Sequence, residues 1–196
     1  MLTTRRSGIL LPISSLPSKY GIGCFSKEAY DFVDFLKEAD QAYWQILPLG
    51  PTSYGDSPYQ SFSTYAGNPY FISLEDLIEE GLLTEEECEA VNFGTNPSYV
   101  DYGKMFEGRF ELLQKAYKRA DLKDDKDFAT YCKNYAYWLD DYALYMAIKT
   151  ERFGNKSWIE WAEDIKKRWD YSLDYYRKEL KDEIQFWKFL QYKFHV

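Results

Sequence analysis

Residues 50–69 combine aromatic rings with small polar side chains in a segment that has no helix or strand periodicity. The aromatic side chains are Tyr54, Tyr59, Phe62 and Tyr65. Asp56 and Ser57 lie between them and offer oxygen atoms that can hydrogen-bond hydroxyl groups. A ring beside polar groups suits a sugar, which has apolar C–H faces and a hydroxyl rim. The same Asp and Ser side chains also suit turns, in which they cap their own backbone, so both interpretations stay open.

The length of this segment indicates a functional loop. Loops longer than about 15 residues are uncommon in compact domains and are usually either functional or disordered. The aromatic residues of residues 50–69 argue against disorder. Aromatic residues make up 19% of the whole chain; much of this content must be core, but tyrosine has a polar hydroxyl and also suits wet surfaces. We therefore expect an ordered loop whose composition suits sugar binding.

Two short apolar runs flank a helical pattern and predict a βαβ unit before the loop. Residues 7–12 and 42–48 have the pattern of buried strands, and Ser26 is a candidate N-cap for the helix between them. The apolar face of that helix is Ala29, Phe32, Val33, Leu36 and Ala39. Strands in such a unit are parallel. The loop at 50–69 therefore follows the carboxyl end of the second strand.

From residue 73 onward the sequence pattern is helical. Ser73 and Thr84 open two capping boxes, and Gly81 suits the position just after a helix end. Apolar stripes predict three longer helices, over residues 103–120, 125–151 and 172–194. The first stripe is Phe106, Phe110, Leu113 and Tyr117. The simplest interpretation of these stripes is the core of a helical bundle.

Charge and cysteine usage limit the classes of partner and cofactor. The 24 basic and 32 acidic residues give a formal net charge of −8, which disfavours nucleic acid and anionic membrane surfaces. Cys24, Cys88 and Cys132 form no CxxC pair, and His195 is the single histidine, so we predict no metal site and no cofactor. The chain has no apolar run near the roughly 20 residues that cross a bilayer and no signal-peptide pattern. These features predict a cytoplasmic protein with reduced thiols.

Five segments carry motifs that can be compared with known families. They are Ser7-Gly-Ile-Leu-Leu-Pro12, Tyr20-Gly-Ile-Gly23, Tyr43-Trp-Gln-Ile-Leu-Pro-Leu-Gly-Pro51, Tyr54-Gly-Asp-Ser-Pro-Tyr-Gln-Ser-Phe-Ser63 and Gly67-Asn-Pro69. Together they closely resemble the amylomaltases, which are the 4-α-glucanotransferases of glycoside hydrolase family 77. The Gly-Asp-Ser-Pro-Tyr-Gln motif is the most specific of them.

The resemblance implies an α/β fold that begins a (β/α)₈ TIM barrel. Residues 7–12 and 42–48 would be barrel strands 1 and 2, and the later helices would be a large all-helical insertion, so the chain would be dominated by helices. Two domains are implied: residues 1–72 form the first part of the barrel with a glucan-binding loop at 50–69, and residues 73–196 form the insertion. Active sites of such barrels lie on the loops that follow the strands.

The resemblance also implies an activity, the transfer of α-1,4-glucan segments between maltodextrins with retained configuration. This chemistry needs two carboxyl groups, one as nucleophile and one as acid and then base. In the family they follow barrel strands 4 and 5, beyond residue 196. We therefore assign no catalytic residue within this chain and expect the isolated chain to be inactive.

The implied role of the chain is substrate binding. Tyr59 matches the family tyrosine that stacks near the sugar at the cleavage point, and Tyr54 matches a position of a secondary glucan site. Asp56 and Ser57 would reach sugar hydroxyls, and Gln60 would orient the loop. The expected ligands are α-1,4-glucans such as maltooligosaccharides and amylose.

Two other functions fit the same residues. The chain could be a non-catalytic carbohydrate-binding or interaction fragment, which would be monomeric and would melt cooperatively. The second alternative is a glycoside hydrolase of the α-amylase type, which shares the barrel. The glucanotransferase interpretation instead predicts exposed sheet edges, and hence possible self-association of the isolated chain.

Overall fold

The computed structural model describes residues 5–52, 56–96 and 98–196. The two strands and the first helix are β1 (Gly8–Leu10), α1 (Lys27–Glu38) and β2 (Tyr43–Gln45). The later helices are α2 (Leu74–Glu79), α3 (Glu85–Glu89), α4 (Tyr102–Arg119), α5 (Lys126–Glu151), α6 (Glu163–Lys166), α7 (Asp170–Glu179) and α8 (Lys181–His195). Short 3₁₀ helices span Ile13–Ser15, Pro69–Phe71 and Trp158–Glu160. The predominance of helix agrees with the prediction.

The chain divides into two compact units, Met1–Ala120 and Asp121–Val196. The first unit contains both strands and helices α1 to α4, and the second contains α5 to α8. The boundary predicted after residue 72 separates the first part of a barrel from a helical insertion. It is a different division from these two compact units, and it stays a prediction.

Strands β1 and β2 form a parallel pair, as predicted. Gly8 pairs with Tyr43, and the backbone N–H of Leu11 extends the pairing by donating to the Gln45 carbonyl at 3.0 Å. A side chain at residue 8 would not fit, because a Cβ there would lie 2.5 Å from the Tyr43 carbonyl oxygen. Both strands are shorter than predicted, with three residues each.

The prediction that both strands are buried is wrong for this chain. Ile9 and Leu10 are exposed, Leu10 by 56%, and Tyr43 is exposed on the partner strand. Trp44 is half-buried and packs its ring against Phe32 of α1, with ring centroids 4.9 Å apart. Within the described residues each strand has a single neighbour, so apolar side chains that suit a buried strand remain open to solvent.

The helix α1 begins after Ser26, as predicted, but the Ser26 side chain does not cap the backbone. Its hydroxyl donates instead to the carboxylate of Glu28 in the first turn. Ala29 and Leu36 are buried on the predicted face, whereas Val33 is exposed. The predicted face is therefore correct at its centre and wrong at its edge.

Helices α2 and α3 are fixed by the capping residues that the sequence predicts. The Ser73 hydroxyl accepts from the Asp76 N–H at 3.0 Å. Thr84 and Glu87 form a full capping box, each side chain accepting from the backbone N–H of the other residue. Gly81 has a φ of +74° just after α2, a left-handed conformation that favours glycine.

Helix α4 buries a face that is offset from the predicted stripe. The buried residues are Met105, Arg109, Leu112, Leu113 and Ala116. Phe106, which the sequence placed in the core, is 51% exposed. Most of the true face therefore lies one residue earlier than the predicted stripe, which corresponds to a rotation of about 100° around the helix axis.

The second unit is built on the packing of α5 against α8. Phe186, Phe189 and Leu190 of α8 and Leu139 of α5 are buried. The single helix predicted over 172–194 is in fact two helices, α7 and α8, which meet at Leu180. Leu180 leaves helical geometry with ψ near +26° while its side chain stays buried, so a continuous apolar stripe hides the break.

Candidate functional site

The segment 50–69 leaves the carboxyl end of β2, and its two ends are joined beside that strand. The backbone N–H of Asn68 donates to the Leu49 carbonyl at 2.8 Å. The Asn68 side chain accepts from the Tyr70 N–H at 3.0 Å and caps the 3₁₀ helix that follows. Trp44 Nε1 donates to the Leu11 carbonyl at 2.8 Å, which connects the ends of both strands. The loop therefore lies at the edge of the sheet where the sequence places it.

Serine side chains give the loop its internal turns. The Ser63 hydroxyl accepts from the backbone N–H groups of Tyr65 and Ala66, at 3.3 and 3.1 Å. The Ser61 hydroxyl donates to the Ser63 carbonyl at 2.8 Å. These short contacts fix the backbone without using any of the aromatic rings.

Ser57 takes part in the turn that carries Tyr59. The Ser57 hydroxyl accepts from the Tyr59 N–H at 3.4 Å, and its carbonyl accepts from the Gln60 N–H at 3.1 Å. The turn role that the sequence allowed for Ser57 is therefore confirmed. Its contact with a sugar hydroxyl stays a prediction.

Gly50 allows the loop to return close to its own beginning. A Cβ at residue 50 would lie 2.4 Å from the Ser61 hydroxyl oxygen and 2.9 Å from its Cβ. Both contacts are far shorter than van der Waals separation. Glycine is required here by the close approach of two loop segments.

The rings of the loop do not pack wholly inward. Tyr59 is 74% exposed, and Gln60 and Tyr65 are also exposed. A tyrosine packed beneath its own Pro58 and Phe62 would be buried, which Tyr59 is not. The structure leaves the Tyr59 ring accessible to a ligand, on a turn that Ser57 holds by hydrogen bonds.

Asp56 is less exposed than Tyr59, since its side chain is half-buried. Its backbone is left-handed, with a φ of +54°. Burial raises the pKa of its carboxyl group, and a hydrogen bond with Thr52 opposes that rise. Burial and then the Asp56 charge raise the pKa values of Tyr70 and Tyr102. The charge of the Asp56 carboxylate thus acts on two tyrosine hydroxyls.

Tyr54 and Gly55 lie outside the described residues. The predicted role of Tyr54 in a secondary glucan site therefore stays a prediction. The structure brings Asp56, Ser57, Tyr59 and Gln60 together on one loop.

The sequence analysis did not find Arg109, a fully buried side chain on α4. Its guanidinium donates to the carbonyl of Ile72, which closes the 3₁₀ helix at the end of the loop. Its Nε and Nη1 atoms have no hydrogen-bond partner within the described residues. Burial lowers the pKa of this guanidinium. Its position between Met105 and Leu112 on the buried face was the available signal, hidden by the incorrect helix register.

In residues 5–52, 56–96 and 98–196, no group of three or more His, Cys, Asp or Glu side chains is arranged to hold a metal ion. In the same residues, no helix has both the length and the apolarity to cross a membrane.

The sequence model of glycoside hydrolase family 77, described as 4-alpha-glucanotransferase, matches residues 11–196. The chain belongs to this family. The resemblance inferred from the loop and strand motifs is therefore confirmed over nearly the whole chain.

Individual 4-alpha-glucanotransferases show the same relationship. The chain is 53% identical to the enzyme of Clostridium butyricum over 182 residues, which cover 93% of this chain and 37% of that protein. It is 51% identical to the enzyme of Streptococcus pneumoniae over 192 residues, which cover 97% of this chain and 38% of that protein. The chain thus spans less than two-fifths of the length of these relatives.

A solved structure agrees with this assignment. The amylomaltase from Streptococcus agalactiae in complex with acarbose superposes with a TM-score of 0.92 at 44% identity, over 98% of this chain and 39% of that one. The amylomaltase from Corynebacterium glutamicum, at 18% identity and a TM-score of 0.68, shares the fold.

Proposed function

We propose that this chain supplies α-glucan-binding surface to a 4-α-glucanotransferase that transfers α-1,4-glucan segments between maltodextrins. The observation that carries the proposal is the exposed ring of Tyr59 on a loop fixed at the carboxyl end of β2. Family membership and the relative solved with acarbose support it. The proposed ligands are maltooligosaccharides and amylose.

We propose that β1 and β2 are the first strands of a (β/α)₈ barrel and that the helices from residue 73 form an insertion. The parallel pairing and the short crossover through α1 support this arrangement. The apolar side chains of Ile9, Leu10 and Tyr43 would be covered by barrel elements outside this chain. When they are uncovered, as here, they favour self-association.

Each predicted site residue has a proposed role. Tyr59 stacks on a sugar ring, and Gln60 orients the loop that carries it. Ser57 holds the turn and presents its hydroxyl oxygen to the ligand. Asp56, oriented by Thr52, accepts from a sugar hydroxyl at the base of the loop, and Tyr54 contributes to a secondary glucan site.

The proposed reaction is a retaining double displacement. A carboxylate attacks the anomeric carbon and displaces the leaving sugar, which is protonated by a second carboxyl group. The hydroxyl of an acceptor sugar then attacks the glycosyl-enzyme and loses its proton to the second group. Both groups are proposed to follow later strands of the barrel, so the role of this chain is to position the glucan.

The test is to incubate maltotriose with the 196-residue chain and, separately, with the family enzyme that contains it. We expect the enzyme to produce both longer and shorter maltodextrins and the chain alone to produce none. Redistribution by the chain alone would overturn the proposed division of roles. Formation of glucose and maltose without longer products would instead indicate an α-amylase-type hydrolase.

We also propose a cytoplasmic location. Cys24, Cys88 and Cys132 are all free thiols, which suit a reducing compartment. A cell fractionation that finds the protein outside the cytoplasm would contradict this.

A further inference from the structure

Arg109 on α4 is completely buried, and its guanidinium donates to the backbone carbonyl of Ile72 rather than to a carboxylate. Its Nε and Nη1 atoms have no hydrogen-bond partner within the described residues. Burying a charge is costly, and an apolar side chain of similar volume commonly gives equal or greater stability. Stability alone therefore does not explain an arginine at this position.

The Ile72 carbonyl lies where the segment 50–69 returns to the fold. The 3₁₀ helix Pro69–Phe71 begins at the end of that segment, and Ile72 closes it by donating its N–H to the Pro69 carbonyl at 3.3 Å. The next residue, Ser73, caps α2. The bond from Arg109 thus fastens the chain at the point where the loop ends and the helices begin.

A second contact from α4 reaches the same 3₁₀ helix. Phe110, the neighbour of Arg109, packs edge to face against the ring of Tyr70, with ring centroids 6.1 Å apart. Tyr70 is buried in the middle of the 3₁₀ helix. One polar and one aromatic contact, from adjacent residues of α4, therefore hold this short helix in place.

The segment that leads into α1 is joined at the same point. The Arg109 guanidinium also hydrogen-bonds the Cys24 thiol, which is buried. The N–H of the next residue, Phe25, donates to the Phe71 carbonyl at 3.2 Å. The Arg109 side chain therefore connects α4 with two segments that are distant in sequence.

From Ile72 the constraint reaches the glucan loop through Asn68. The Asn68 side chain caps the 3₁₀ helix, and its N–H donates to the Leu49 carbonyl at 2.8 Å. The position of the 3₁₀ helix therefore decides where the two ends of the loop meet. A shift of the Ile72 carbonyl would move the base from which the Tyr59 turn projects.

We propose that Arg109 is a positioning residue for glucan transfer: by holding the Ile72 carbonyl against α4, it fixes the returning end of the loop and hence the place where the Tyr59 ring meets the sugar. This inference rests on the proposed function, because it takes Tyr59 to be the ring that stacks on the glucan. Arg109 itself does not touch the ligand, since it is completely buried.

The kinetic test uses the 4-α-glucanotransferase proposed above, with maltotriose, at a temperature below the melting of every variant. Arg109→Met keeps an apolar stem and removes the donors, and it should lower kcat/KM about 10- to 100-fold, as small misplacements of a positioning group do. Arg109→Lys keeps one charged donor and should recover part of that loss. Arg109→Gln, which is shorter and neutral, replaces Arg109→Met if that variant does not fold.

A double-variant cycle shows whether the effect passes through Tyr59. In a Tyr59→Ala background there is no ring left to misplace, so Arg109→Met should lower kcat/KM no further. Leu113→Ala is the matched control, because Leu113 is also completely buried on α4. It should lower the melting temperature and leave kcat/KM unchanged, whereas a merely structural role of Arg109 would make the two variants behave alike.

Hydrogen exchange of the 196-residue chain gives a measurement that does not depend on activity. Arg109→Met should speed exchange of the Asn68 amide about tenfold or more, since the loop closure opens more often. The control amide is Gln41, whose N–H donates to the Leu36 carbonyl at 2.9 Å at the end of α1, and its exchange should not change.

Two results would overturn the inference: an equal loss of kcat/KM with and without the Tyr59 ring, or an unaltered exchange rate at Asn68. Failure of the proposed function looks different, because Tyr59→Ala would then leave the kinetics unchanged by itself. Faster exchange at Asn68 in that case would still assign Arg109 to the closure of the loop.

Discussion

The loop at 50–69 and the helical unit at 121–196 are both rich in tyrosine, but the helical unit buries some of these rings in its core, whereas the Tyr59 ring of the loop is exposed. In the loop, backbone and serine hydrogen bonds fix the chain, and the Tyr59 ring faces solvent. In the helical unit, Tyr131 and Tyr142 are buried, and the Tyr131 ring packs against the Tyr192 ring, with ring centroids 5.6 Å apart. Rings that hold a fold together are not available to a ligand, and the Tyr59 ring is left accessible on a turn that is held by hydrogen bonds of Ser57.

The largest effect is a loss of stability, expected where a buried aromatic ring forms part of the core. Phe189 is completely buried on α8, and Phe189→Ala should lower the free energy of unfolding by about 3–5 kcal/mol, from lost transfer energy and a cavity. Urea unfolding of the chain measures this. Tyr175→Ala, at an exposed position on α7, should change it by less than about 0.5 kcal/mol. Similar losses in both variants would contradict the contrast between core and surface rings.

The next largest effect is expected on catalysis rather than on stability. In the 4-α-glucanotransferase proposed above, Tyr59→Ala should lower kcat/KM about 10- to 1000-fold, through loss of a contact made in the transition state. The melting temperature should hardly change, because the ring is exposed. Kinetics on maltotriose and a thermal melt are the two measurements.

Two variants control this prediction. Tyr59→Phe keeps the stacking face and should keep most of the activity, and Tyr30→Ala removes an equally exposed ring from α1 and should have no effect. Unaltered kinetics in Tyr59→Ala would mean that the ring plays no part in the reaction.

A smaller effect is expected from the backbone of the loop. Gly50→Ala brings a Cβ against Ser61 and should cost about 1–3 kcal/mol of stability, as overpacking does elsewhere. Adding Ser61→Gly removes the opposing atoms and should restore part of the loss. Thermal melts of the single and double variants test this, and equal melting temperatures for Gly50→Ala and the unaltered chain would refute the close approach.

The smallest effect is expected at Tyr142, where a buried hydroxyl has no hydrogen-bond partner within the described residues. Tyr142→Phe removes that polar atom and keeps the ring, so stability should be unchanged or rise by up to about 1 kcal/mol. A loss of more than about 1 kcal/mol in urea unfolding would show that the hydroxyl is satisfied, for example by a buried water.

Sequence reasoning found the features that depend on local interactions. The capping box at Thr84 and the left-handed Gly81 involve residues a few positions apart, so their types alone predict the helix ends. The parallel pairing of β1 and β2 followed from the short helical crossover. The Tyr59 loop was predicted because its length and composition are unusual for a connection.

The errors arose where distant contacts decide. Arg109 donates to the carbonyl of Ile72, 37 positions away, and the local sequence does not predict that contact. The end of α7 at Leu180 was hidden because the apolar stripe continues across it. The strands were predicted to be buried because their composition suits a complete sheet, whereas each has a single neighbour within the described residues.

The hydrogen bond from the Asn68 N–H to the Leu49 carbonyl closes the loop between them, so the two ends of the loop are adjacent. The entropic free-energy cost of closing a loop grows only with the logarithm of its length, by about 0.6 kcal/mol for each doubling. Residues inserted between Leu49 and Asn68 would change how far Tyr59 projects from the sheet and would leave the strands unchanged. The length of this loop can therefore vary without any change to the sheet beneath it.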